Sequence, residues 1–271
     1  MINCNGKLVS SLSDVDEAII LNLFKSFSIE EKLRFSKGNI LLWETHYFRI
    51  IAALRRHRFN IPLEFTMEYL SNEILKTLNK NLPSNDDQLI HLKFIKNDIG
   101  VFFIIIVDKI PSFSLNSDDI YTVDLYKEEW IASGFFSNLS STNLTIREIS
   151  ETYAEENGLE DCILLNDQKN LVEATSGSLY LVQGNLILSP NLDSGCQDFA
   201  IRAAFNQWVV NEQQDYSLVE QAVNPFELQK SEEIIILSIE NGVQPITNYR
   251  KTTYSQLRVG LVFERFLEQL D

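Results

Sequence analysis

The sequence predicts an α+β protein of two domains, and three observations carry that expectation. The run VFFIIIVD within Gly100–Asp108 is β-branched and aromatic throughout, the composition of a strand buried on both faces. Pro111–Asp119 (PSFSLNSDD) is small, polar and without period, so it reads as a linker between a smaller domain, 1–113, and a larger one, 121–271. Beyond it, short strand-like runs follow one another closely, separated by turn residues and flanked by helical segments.

The elements follow in order. Asn5-Gly6 is a turn, and the apolar stretch Ile19–Phe27 reads as a strand. Gly38-Asn39 is a stronger turn that feeds a short strand, Ile40–Trp43. Thr45 is the expected N-cap of a helix through Phe48, Ile51 and Ala52, ended by Pro62. The cations Arg55, Arg56, His57 and Arg58 then sit at a solvated helix end, where the dipole favours them. Phe65–Leu82 is a second amphipathic helix closed by Pro83, with a polar loop over Ser84–Gln88. Leu89–Phe94 and Gly100–Asp108 are strands.

The second half opens with a strand over Ile120–Leu125 and a helix over Ser141–Asn157, stopped by Gly158. Strands are expected at Cys162–Leu165, Leu171–Ala174, Ser178–Val182 and Leu186–Leu188, with turns at Asp167–Asn170 and Gln183–Asn185. A helix over Asp198–Val210, a strand at Val219–Ala222, a short helix from Asn224 and a strand at Ile234–Ser238 follow. The chain closes on an amphipathic helix, Thr253–Leu270.

Composition narrows the function. At 271 residues and 45% hydrophobic, the chain can bury a substantial core. Its 23 basic and 38 acidic residues give a net charge of −15, a field that repels phosphate backbones, so nucleic acid is not an expected partner. A small anion is still admissible, because a local arginine or a row of N–H groups can reverse the sign inside a cleft. Cys4, Cys162 and Cys196 have no metal or redox spacing and read as reduced thiols of a cytoplasmic protein. MINCNGKLVSS has no secretory pattern, and the longest apolar run, Val101–Val107, is too short to span a bilayer. The N-x-S/T triplets at Asn138 and Asn143 are then chance matches. His46, His57 and His91 show no metal spacing, and no nucleophile elbow, P-loop or dinucleotide fingerprint occurs.

Five stretches point to a family. They are WETHYFRI (Trp43–Ile50), ENGLEDCILLN (Glu156–Asn166), NLVEATSGSLYLVQGNLILSPNL (Asn170–Leu192), GCQDFAIR (Gly195–Arg202) and SEEIIILSIENGVQPI (Ser231–Ile246). In order and spacing, residues from about 38 to 250 resemble the class IV aminotransferases. These are fold-type-IV pyridoxal-phosphate enzymes, including branched-chain and D-amino-acid aminotransferases and aminodeoxychorismate lyase. The resemblance implies a smaller N-terminal α/β sandwich, a larger domain with a barrel-like sheet, a homodimer and a small amino or anionic ligand. It also implies pyridoxal phosphate, held by a lysine imine, a carboxylate opposite the ring nitrogen, and an arginine and N–H groups on the phosphate.

Carried over residue by residue, Arg49 falls on the phosphate arginine, Glu173 on the ring-nitrogen partner, and Ser238 near the late phosphate contact. Each has a plainer alternative: a surface helix arginine, a strand-end polar residue, a buried hydroxyl. The departures are larger. Counting back from Asn143 and from Glu160-Asp161, the imine lysine falls on Ser140, which cannot form an imine. Phe199-Ala200-Ile201 replaces the phosphate-binding glycine turn, and Ile19–Lys25 aligns with a glycine-rich run preceding a Phe-Glu pair. Lys127, Lys169 and Lys230 are the lysines considered as substitutes, and each also fits a solvated surface. The expectation is a homologue without normal pyridoxal-phosphate catalysis, with no catalytic residue assigned. The rivals are an active transaminase or lyase with a relocated or absent lysine, and a binding protein for a small anion held by Arg49.

Overall fold

The computed structural model describes residues 1–81, 87–96, 100–113, 120–141, 143–213, 215–254 and 260–270. Most of the expected linker, the expected stop at Pro83 and part of the loop after it lie outside the described residues. The chain divides into two compact units, Met1–Ser112 and Phe113–Leu270.

The first unit contains β1 (Ile2–Cys4), β2 (Lys7–Val9), α1 (Glu17–Lys25), β3 (Ser28–Ser36), β4 (Asn39–Ile40), α2 (Trp43–Arg56), α3 (Met67–Lys80), β5 (Gln88–Lys96) and β6 (Val101–Lys109). One sheet runs in the order β2-β1-β6-β5-β3-β4, with antiparallel pairs throughout. Both faces of β6 are covered only over its first half. Phe103 packs edge-on to Phe65 and Tyr69, while Ile104 joins Cys4, Val9, Ile19 and Ile95 beside α1. Past Ile105 the strand emerges, and Ile106 is 42% exposed, so burial on both faces does not extend along the whole run.

The expected strand over Ile19–Phe27 is instead α1. An apolar run without alternation does not distinguish helix from strand by period. Here Glu17 in the first turn and Lys25 in the last complement the helix dipole, and one face, through Ile19, is buried. The strand expected over Ile40–Trp43 ends at Ile40, because Leu42 turns left-handed (φ 53°) and α2 begins at Trp43, two residues before the expected cap at Thr45. Thr66 caps α3, its hydroxyl accepting from the Tyr69 N–H as a threonine favoured at the N-cap should.

The second unit contains β7 (Thr122–Leu125), α4 (Leu144–Glu156), β8 (Asp161–Leu165), β9 (Leu171–Ala174), β10 (Ser178–Gln183), β11 (Leu186–Pro190), α5 (Ala200–Glu212), β12 (Ser217–Gln221), α6 (Glu227–Lys230), β13 (Glu233–Ser238), β14 (Gly242–Pro245), β15 (Asn248–Tyr249), β16 (Thr252–Thr253) and α7 (Gly260–Leu270). Thr253 therefore lies in a strand, not at the start of the closing helix, and residues 255–259 are outside the described set.

Two five-stranded sheets, β12-β11-β10-β13-β14 and β16-β15-β7-β8-β9, enclose one shared core. Val123, Ile163 and Leu171 from one sheet meet Leu181, Leu188 and Ile236 from the other. The sheets join at the tight turn between β9 and β10, where Ala174 and Gly177 bond each other in both directions. Outside this core, α5 and α7 bring Phe205 and Phe263 together, stacked at 4.0 Å, with Tyr180 of β10 edge-on to both. Helix α4 packs through Ala154 with Cys162, Leu164 and Val172. Among the described residues no helix is long and apolar enough to cross a membrane.

Candidate functional site

The site is built where α4, the β9–β10 turn and the approach to α5 meet. Ser140 lies on the loop before α4. Asn143 folds that loop back with both polar atoms of its amide, accepting from Ala132 N and donating to Ala132 O (3.2 Å). Asn138 pins it on the other side. Its Nδ2 donates to Leu192 O and Cys196 O at 2.8 Å, and its carbonyl accepts from Asp198 N. The two asparagines that looked like chance glycosylation triplets thus hold the loop that carries Ser140.

Glu173 sits on β9 and is 1% exposed. Arg147, on the second turn of α4, donates its Nε–H to Glu173 Oε1 at 2.6 Å. The Gln197 N–H donates to Oε2 at 2.7 Å. One turn further along α4, the Ser150 and Thr175 hydroxyls are 2.8 Å apart. Both oxygens of the carboxylate that the sequence assigned to a ring nitrogen are therefore engaged by the chain itself.

Ser238 ends β13, and its Oγ accepts from Asn241 N at 3.0 Å. The β9–β10 turn is pressed against it: a Cβ on Gly177 would stand 2.6 Å from Leu237 O and 3.0 Å from the Ser238 Cβ. Asp161 fastens the same turn, accepting from Thr175 N, Ser176 N and the Ser176 hydroxyl. Burial lifts the Asp161 carboxyl above its usual range, against the pull of those donors. Phe199 is the residue before α5 and makes no side-chain cap, leaving the start of that helix without a capping side chain. A cleft of about 380 Å³ runs along α5 and β12 past Arg202, Asn206 and Glu220. Ser140, Glu173 and Ser238 do not line it.

Arg49 belongs to the first unit, on α2. Its Nε–H points at both oxygens of Glu31, 3.0 Å from each, and His46 Nδ1 is 2.7 Å from the same carboxylate. Burial by itself would raise the Glu31 carboxyl, but Arg49 and His46 outweigh it and hold it below the ordinary range. The candidate substitutes Lys127, Lys169 and Lys230 are all exposed, and Lys230 Nζ is held by Glu227 at 2.6 Å.

The family model for amino-transferase class IV matches residues 28–249. The chain belongs to the class IV aminotransferases. Solved members of similar fold include branched-chain amino-acid aminotransferase from Escherichia coli, at 15% identity and TM-score 0.83, covering 98% of this chain and 91% of that one. Branched-chain aminotransferase from Thermoproteus uzoniensis, solved with norvaline, gives 15% identity and TM-score 0.82 over 99% and 92%. A putative 4-amino-4-deoxychorismate lyase from Legionella pneumophila gives 15% identity and TM-score 0.77 over 98% of each chain. No curated protein matches by sequence. The class IV match begins at residue 28, so the run Ile19–Lys25, which lies in α1, precedes it.

Two site residues of this class IV chain were missed by sequence reasoning, Arg147 and Gln197. Gln197 acts through its backbone, which carries no sequence signal. Arg147 did carry one: it is the only lysine or arginine between Lys127 and Lys169, on a helix otherwise rich in glutamate. A lone cation in such a stretch invites a search for a buried partner.

Proposed function

We propose that this chain is a class IV aminotransferase homologue that does not perform imine-based pyridoxal-phosphate catalysis and acts as a non-catalytic protein for a small amino or anionic ligand. What carries this reading is Ser140, which the motif spacing assigns to the lysine position. A hydroxyl cannot condense with an aldehyde to an imine, nor carry a proton as an amine does. Its loop is held in place from both sides by Asn138 and Asn143, so Ser140 occupies a built position.

The remaining residues give the cofactor a poor fit. Glu173 has a donor on each oxygen, and Phe199 stands in the glycine-led approach to α5. The exposed side chains of Lys127, Lys169 and Lys230 weigh against a relocated amine.

The test is to mix purified protein with pyridoxal phosphate, reduce with borohydride and weigh the intact chain. The unmodified mass is expected, with no protonated-imine absorbance before reduction. A tethered adduct mapped to one specific lysine would overturn the proposal in favour of an active transaminase or lyase with a relocated amine.

A further inference from the structure

We propose that Arg147 supplies, from within the chain, the cation that a cofactor ring would otherwise bring to Glu173, so that the ring-nitrogen subsite is closed by a side chain. The proposal rests on the reading above and names the residue responsible.

The reasoning starts from burial. A carboxylate that is 1% exposed needs a compensating charge or donors, because its desolvation is far too costly otherwise. In the family arrangement implied by the sequence, a protonated ring nitrogen would provide that charge, placed at hydrogen-bond distance from one carboxylate oxygen. Arg147 Nε occupies that kind of position, 2.6 Å from Oε1, on a side chain itself only 7% exposed. The other oxygen accepts from the Gln197 N–H. A ring N–H would therefore have to displace one donor or crowd beside it.

The position of Arg147 is not accidental to one rotamer. Helix α4 is fixed against the β9–β10 turn a second time by Ser150 and Thr175. The turn lies close against β13: even a Cβ added at Gly177 would stand only 2.6 Å from Leu237 O. Ser140 and Arg147 are also complementary in charge. Ser140 removes the amine that would retain the cofactor; Arg147 prevents Glu173 from being left as a buried anion once the ring is gone. Unlike a pyridinium, a guanidinium keeps its proton at any pH the protein meets, so the replacement is a permanent one.

The experiment compares pyridoxal-phosphate binding, by absorbance titration and by the borohydride-fixed mass, in four proteins: wild type, Ser140→Lys, Arg147→Leu and Ser140→Lys/Arg147→Leu. The double variant is expected to bind at least about tenfold more tightly than Ser140→Lys alone. Equal affinity of those two would overturn the proposal, since Arg147 would then not obstruct the subsite. An adduct mapped to one specific lysine of the wild-type chain would instead sink the proposed function, leaving this comparison to be judged on its own. As a guard against misfolding, thermal melting is measured for Arg147→Leu, Glu173→Leu and Arg147→Leu/Glu173→Leu. Both single variants should melt lower than the double variant, because each leaves one buried charge alone. Purely additive losses would count against the pairing.

Discussion

Arg49 Nε lies 3.0 Å from each carboxylate oxygen of Glu31, and the same carboxylate also holds His46 at 2.7 Å. All three groups are almost fully buried, with side chains 9%, 8% and 3% exposed. Removing the anion leaves two basic groups facing each other, whereas removing Arg49 leaves Glu31 its histidine. Glu31→Ala is expected to cost roughly 3–5 kcal/mol in urea unfolding, and Arg49→Ala about 1–2 kcal/mol less. Equal losses would show that the carboxylate is not the hub of the cluster.

Gly177→Ala should destabilise the second unit by roughly 1–3 kcal/mol, since its new methyl would lie 2.6 Å from a backbone carbonyl. Gly134→Ala, where nothing lies within 4 Å of the added atom, should change stability by less than about 0.5 kcal/mol. Differential scanning calorimetry of the two variants side by side makes the comparison. A neutral Gly177→Ala would mean that β13 can yield at Ser238.

Acid should weaken the first unit through β3. The hydrogen bond from His91 brings the Glu30 carboxyl from the ordinary 4.5 to about 2, against its burial and with help from Lys93. Glu31 is lowered too, as described. A folded pKa below the unfolded one means that the unfolded chain takes up protons first. The stabilisation is therefore complete above the ordinary 4.5 and is lost as pH falls towards about 2. Chemical denaturation midpoints across this window should fall steeply in the wild type and less steeply in Glu30→Gln. Parallel slopes would refute the assignment.

None of the three cysteines should react with a thiol reagent at mildly alkaline pH until the protein unfolds. All are buried, and burial pushes the Cys162 and Cys196 thiols up to about 12, far from the thiolate range. Rapid labelling of either in native protein would show that the α4 layer opens readily.

The candidate site was legible where it follows motif spacing and opaque where it follows packing. Motif spacing alone assigned Glu173 and Ser140 their places, and residue type marked the turns at Asp167–Asn170 and Gln183–Asn185, where Lys169 and Gly184 adopt positive φ. Helix α1 was misread because Ile19–Leu23 has no period that separates helix from strand, and only its seat beside Ile95 and Ile104 decides the matter. Arg49 was placed on its helix, but Glu31, its partner, comes from a neighbouring strand and no local pattern joins them.

By itself the sequence determined the family, the order of most elements and the absence of an amine at position 140, because these depend on residue identity and spacing along one dimension. Only the tertiary structure decided what became of Glu173. Arg147 is 26 residues away in the chain and reaches it at 2.6 Å because α4 is laid across the β9–β10 turn. A buried charge must be answered by whatever packing brings near it, and that neighbour is a property of the fold.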